Sequence, residues 1–179
     1  MSKVFLPGGK APAEGDLYRN PDLARTLQTI AEKGRDAFYK GELAQAMDGY
    51  FQRIGAPHRL ADFAAHKSEW VDPVSTNYRG YDVWEIPPNG QGLAAQIALG
   101  ILDHLPAAAL DSELWYHQQI EAMKIAWELR NRHIADPAFH EVPVDELLSA
   151  KTAQKLASLI DMNRALDIDT AMRNSDTIT

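Results

Sequence analysis

Apolar residues recur at helical spacing along most of this chain and switch to alternation over one short stretch. Asn20 is placed to cap a helix that has Pro21 at its first position, where the missing N–H costs nothing. Leu23, Leu27, Ile30, Ala31, Gly34 and Phe38 form its apolar stripe, and Arg25, Gln28 and Glu32 lie opposite. One helix is expected from Pro21 until Gly41 breaks it. A second carries Leu43, Met47, Phe51 and Ile54 and stops at Gly55 and Pro57. A short third, over 60–66, carries Leu60, Phe63 and Ala64. The period then changes. Residues 74–78 and 81–86 are rich in β-branched and aromatic side chains, and Arg79-Gly80 joins them. A two-residue connection with Gly predicts a β-hairpin near 73–86, entered at Asp72-Pro73 and ended by Pro87-Pro88.

Beyond the hairpin the chain is helical again. Residues 93–102 are apolar almost all round, so that helix must be covered on most sides. A long helix over 112–134 has a narrow polar stripe of His117, Glu121, Lys124, Glu128 and Asn131. The rest of its surface, with Leu114, Trp115, Ile120, Met123, Ile125, Trp127 and Leu129, is expected in the core. A shorter helix over 150–160 carries Ala153, Leu156, Ala157 and Ile160. Residues 1–20 are Gly/Pro-rich and read as an extended arm, 21–161 as a helical subdomain with the hairpin, and 162–179 as a flexible tail. The fold class is mainly α with one β-hairpin.

Composition narrows the chemistry. The 179 residues are 45% hydrophobic and 24% charged, as a folded core requires. A net charge of −7 argues against a nucleic-acid partner, and the longest apolar runs fall short of the ~20 residues that span a membrane. The first residues lack the apolar stretch of a secretory leader. With no cysteine, thiolate nucleophiles and Cys-ligated zinc are excluded. The six histidines (His58, His66, His104, His117, His133, His140) form no metal-binding pattern, and no metal or cofactor is expected. Gly8-Gly9-Lys10-Ala11 lacks the remaining parts of a phosphate loop. Gly90-Gln91-Gly92 before a helix reads as a tight turn that lets the helix pack closely on the hairpin, rather than as an anion site. Trp70, Trp84, Trp115, Trp127, Tyr78 and Tyr81 are expected in the core.

A set of ordered blocks is more specific. Asn20-Pro21-Asp22-Leu23-Ala24-Arg25-Thr26-Leu27, Ile30-Ala31-Glu32, and Asp36-Ala37-Phe38-Tyr39 with Gly41 come first. Asp62-Phe63-Ala64, Trp70, Pro73, Tyr78-Arg79-Gly80-Tyr81 and Pro87-Pro88-Asn89-Gly90-Gln91-Gly92 follow. Then come Ile101-Leu102, Glu121-Ala122-Met123-Lys124-Ile125-Ala126, Asp136-Pro137 with Phe139, and Val142-Pro143. Together they resemble the γ-glutamyltransferase (γ-glutamyltranspeptidase) family over roughly residues 5–177. The resemblance implies the helical portion of an αββα N-terminal-nucleophile hydrolase sandwich. It also implies a precursor that cuts itself into a large and a small subunit. This chain is similar to the later part of the large subunit, so its partner would be the small subunit of the same precursor, and its substrate a small γ-glutamyl compound.

Ser175-Asp176-Thr177-Ile178 is similar to the family's processing junction. The resemblance maps the catalytic nucleophile onto Thr177, with cleavage after Asp176. The oxyanion glycines and substrate clamps of the family lie outside this segment, which implies that the segment alone is catalytically silent. Asn89-Gly90-Gln91 stands where many transpeptidases carry serines, a trait similar to the acylase-like branch that acts on amides other than glutathione. A helical interaction module in which Thr177 is incidental is the competing reading. If a sheet of the precursor normally covers the apolar helices, the isolated segment would expose them and self-associate.

Overall fold

The computed structural model describes residues 2–174, with side chains from Val4 to Met172. These residues are mostly helical with a two-stranded antiparallel sheet. They form two compact units, with the boundary between Glu69 and Trp70 inside the expected 21–161 subdomain.

The first unit begins with α1 (Ser2–Phe5) and a 3-10 turn at Pro7–Gly9, so the expected extended arm carries short helical structure. Helix α2 (Pro21–Lys33) starts as expected: the Asn20 side chain accepts from Leu23 N at 3.0 Å. The single helix expected as far as Gly41 is broken at Gly34, whose φ of 73° and ψ of −167° no helix admits. Its N–H closes α2 on the Ile30 carbonyl, and the chain re-enters a helix as α3 (Arg35–Tyr39). The apolar spacing survives the break because the two helices resume on either side of one residue. Then come α4 (Glu42–Arg53) and α5 (Leu60–Ala65). Phe51 stacks on Phe63 with centroids 6.1 Å apart, and Tyr39 stacks on His66 at 4.7 Å.

The second unit opens with β1 (Val74–Tyr78) and β2 (Tyr81–Glu85), paired in the register Tyr78↔Tyr81, Thr76↔Val83 and Val74↔Glu85. Arg79 at φ 50° and Gly80 at φ 86° give the two left-handed residues of a tight hairpin turn. A lone two-stranded hairpin is marginal in water and needs a surface to lie on. Here that surface is α6 (Gly92–Asp103), reached through Val74, Thr76, Tyr78 and Val83, which point inward and are half-buried. Gln96 of α6 is fully buried, and its Nε2 donates to the carbonyls of Val74 and Val83, each at 2.9 Å. One amide thus fastens both strands, while its own Oε1 has no partner in the structure.

Behind the hairpin lie α7 (Glu113–His133), α8 (Val144–Leu147), α9 (Ala150–Ala157) and α10 (Ile168–Asn174). The core is aliphatic: Leu93, Ile97 and Ile101 of α6 meet Ile125 and Leu129 of α7, with Leu147, Leu156 and Ile160 closing it. Ala94, Ala98, Ala122 and Ala126 are also buried, small side chains that let the helices approach closely. That close packing leaves no room for indoles. The aromatic set expected in the core is instead largely at the surface: Trp70 is fully exposed, and Tyr81, Trp84 and Trp127 are exposed. The expected flexible tail also differs from the structure over 168–174. Asp167 caps α10 by accepting from the Thr170 hydroxyl at 2.8 Å, and Met172 is buried in the core.

Candidate processing junction

Thr177 and the bond before it lie outside the described residues. What the structure places is the chain that leads to them and the helix that holds it. Helix α7 is fixed at both ends by its sequence. Ser112 Oγ accepts from Trp115 N at 3.1 Å, Glu113 sits in the first turn, and Arg130, Arg132 and His133 sit in the last, where each charge suits the helix dipole.

The polar stripe of this helix does not face water. Glu121 is 2% exposed. Its Oε2 accepts from the backbone N of Leu166 at 3.1 Å, and Lys124 Nζ donates to Oε1 at 3.1 Å and to Oε2 at 2.9 Å. Lys124 Nζ also donates to the Leu166 carbonyl at 2.6 Å. Two side chains one helical turn apart therefore grip both polar groups of one peptide residue. A turn earlier, His117 Nε2 lies 2.8 Å from the Asp161 carbonyl. His117, Glu121 and Lys124 follow the i, i+4, i+7 spacing of one helix face, and together they hold the segment 161–166. Downstream, α10 is seated by Met172, five residues before Thr177. Sequence analysis missed this anchor. Its signal was present, because a buried helix with a narrow polar stripe needs polar partners for it.

The remaining candidates are accounted for by local contacts. A Cβ on Gly92 would lie 2.3 Å from the Glu85 carboxyl group, so only glycine lets α6 start this close to the hairpin. The tight-turn reading of Gly90-Gln91-Gly92 agrees with that geometry. His58 packs on Phe51 at 4.9 Å, and His104 Nδ1 lies 2.9 Å from the Gly100 carbonyl. Among the described residues no three His, Asp or Glu side chains converge as a metal site.

His133 carries a pH dependence. Burial, reinforced by the positive charges of Arg132 and His140 and opposed by Glu146, holds its imidazole below the usual value. The neutral form is thus favoured when folded, and the unfolded chain takes up its proton first as pH falls. Its stabilising contribution is complete above about pH 6.5 and is lost as pH falls through the lowered folded value. Urea midpoints at pH 7.5 and 5.0 are expected to differ less in a His133→Gln variant than in the parent.

The γ-glutamyltranspeptidase family profile matches residues 1–178. The chain belongs to the gamma-glutamyltranspeptidase family. The glutathione hydrolase-like YwrD proenzyme of Bacillus subtilis is 40% identical over 159 residues, 88% of this chain and 30% of that protein. The oxamate amidohydrolase proenzyme of Klebsiella pneumoniae is 37% identical over 161 residues, 90% of this chain and 30% of that protein. Among solved structures, the cephalosporin acylase of Bacillus halodurans superposes with a TM-score of 0.70 at 41% identity, over 89% of this chain and 30% of that one. This member of the gamma-glutamyltranspeptidase family therefore spans about 30% of the length of the relatives it matches. The family is enzymatic, comprising hydrolases and transferases, and the relatives are proenzymes.

Proposed function

We infer that this chain is the large-subunit part of an autoprocessed N-terminal-nucleophile amidohydrolase. In this reading its helices form one outer layer of an αββα sandwich. Scission of the Asp176–Thr177 bond turns Thr177 into the first residue of the small subunit. A neutral threonine hydroxyl is a weak nucleophile, but the freed α-amine, with a reference pKa of ~7.7–8.0, can accept its proton near neutrality. The hydroxyl oxygen then bonds to the amide carbonyl carbon, the C–N bond breaks, and the proton passes to the leaving amine. Water or an acceptor amine afterwards releases the acyl group from Thr177. Donors for the developing oxyanion and clamps for the substrate would come from the remainder of the precursor, so residues 1–179 alone are expected to be inactive.

The observation that carries this reading is the family match, which runs unbroken to residue 178 and so takes in Ser175-Asp176-Thr177-Ile178. It is also what favours the enzyme over a helical interaction module. For the substrate, Asn89-Gly90-Gln91 and the similarity to an acylase and an oxamate amidohydrolase favour an amide other than glutathione. The test is a substrate comparison with the complete gene product: glutathione, a γ-glutamyl anilide, an N-acyl amide and oxamate. A non-γ-glutamyl amide is expected to give the highest kcat/KM. Glutathione at the top would overturn the substrate assignment, and no turnover of any amide by a cleaved, folded product would overturn the enzyme reading.

A further inference from the structure

Helix α7 is apolar on two opposite sides. Its inner side, with Ala122, Ile125, Ala126 and Leu129, is buried in the aliphatic core. The flank bearing His117, Glu121 and Lys124 is taken up by the 161–166 segment. What remains in water along the middle of the helix is a row of large apolar side chains: Tyr116, Ile120, Met123 and Trp127, exposed by 50, 58, 43 and 46%. Their spacing of i, i+4, i+7 and i+11 draws one straight ridge about 16 Å long. Between Glu113 and Asn131, the most exposed positions of the helix all belong to this ridge, and none of them is charged. A helix apolar on two sides belongs between two layers, and a ridge of this size is not left in water by a protein that stays monomeric and soluble.

We propose that the Tyr116–Ile120–Met123–Trp127 ridge is covered by the remainder of the same precursor, the polypeptide beyond this chain. The inference rests on the proenzyme reading above. It commits to that occupant for two reasons. The chain matches only 30% of the length of its relatives, so most of such a polypeptide has no counterpart here and is available to cover the ridge. The ridge also lies on the same helix that anchors the segment leading to Thr177, so a layer seated on it would be held in fixed register with the junction. A second copy of this chain is the alternative occupant, and net charge −7 on each copy opposes it.

Single cysteines test this in the complete, processed gene product, with labelling by a maleimide read against the same protein in urea. Ile120→Cys and Met123→Cys place the probe on the ridge, and Lys151→Cys, on an exposed position of α9, is the reference. Protein lacking the added cysteine gives the background. Both ridge probes are expected to label on the order of tenfold or more slower than Lys151→Cys, and equally so after hundredfold dilution. Ridge labelling as fast as the reference in a product that mass spectrometry shows to be cleaved into two subunits overturns the inference and leaves the proenzyme reading standing. Protection that disappears on dilution assigns the ridge to a second copy and also overturns it. An uncleaved product would count against the proenzyme reading instead, while slow ridge labelling in it would still support the covering.

Discussion

A Thr177→Ala variant of the complete gene product is expected to remain a single unbroken polypeptide and to turn over no amide. Both losses have one cause. The hydroxyl on residue 177 is the proposed attacking group twice, first on the peptide bond that precedes it and then on the substrate. Alanine keeps the backbone and removes only that oxygen, so folding should be preserved while activity falls on the order of 10⁴-fold or more. Thr177→Ser separates the hydroxyl from the rest of the side chain. Serine retains the nucleophile, and its variant should yield two fragments meeting at Asp176 and residue 177, with activity reduced rather than abolished. Mass spectrometry of the purified products reads the first outcome, and a γ-glutamyl anilide or another amide reads the second. Two fragments from Thr177→Ala, joined at the same place, would remove Thr177 from the mechanism and return the helical interaction module to consideration.

The parts of the fold that were legible in the sequence are those whose signal is local. The hairpin was announced by two short β-rich runs around Arg79-Gly80, and its turn has the positive φ angles that such a connection demands. The helix expected over 93–102 is α6, because a segment apolar all round can only be a covered element. The long helix was equally plain as a helix, but not in its orientation. Periodicity reports that polar and apolar faces exist; it does not report which neighbour each face meets. The stripe of His117, Glu121 and Lys124 looked like a solvated edge and is instead the grip on 161–166. Part of the surface assigned to the core, Tyr116, Ile120, Met123 and Trp127, stands in water among the described residues. The other differences have similar origins. Gly34 breaks a helix without disturbing its apolar spacing, and α10 is held by Met172 and an Asp167 cap too short to register as a pattern. Thr177 itself was legible only through resemblance, since a threonine after an aspartate carries no chemistry of its own.

Lys124→Met should be among the most destabilising single changes outside the aliphatic core, although lysine is usually a surface residue. In the parent, the ammonium of Lys124 is bonded to both oxygens of the Glu121 carboxylate and to the Leu166 carbonyl. The carboxylate side chain is 3% exposed, whereas that of Lys124 is 31% exposed. The two partners are therefore not equivalent. Without Glu121 the lysine can turn to water, but without Lys124 the carboxylate stays buried, with only the Leu166 N–H to compensate it. Removing the cation from such a pair costs about 3 kcal/mol, a drop in thermal midpoint on the order of 10 °C. Methionine preserves the length and most of the apolar stem, so the loss is chiefly electrostatic. The double variant Glu121→Gln/Lys124→Met is expected to recover much of the stability, because a neutral amide can still accept from Leu166 N and leaves no charge uncompensated. In the complete gene product, the single variant should also be cut more slowly at Asp176–Thr177, since the segment entering the junction has lost its tether at Leu166. A Lys124→Met protein that melts with the parent and is processed at the same rate would show the contact to be no more than an incidental ion pair, and the anchoring role assigned to α7 would go with it.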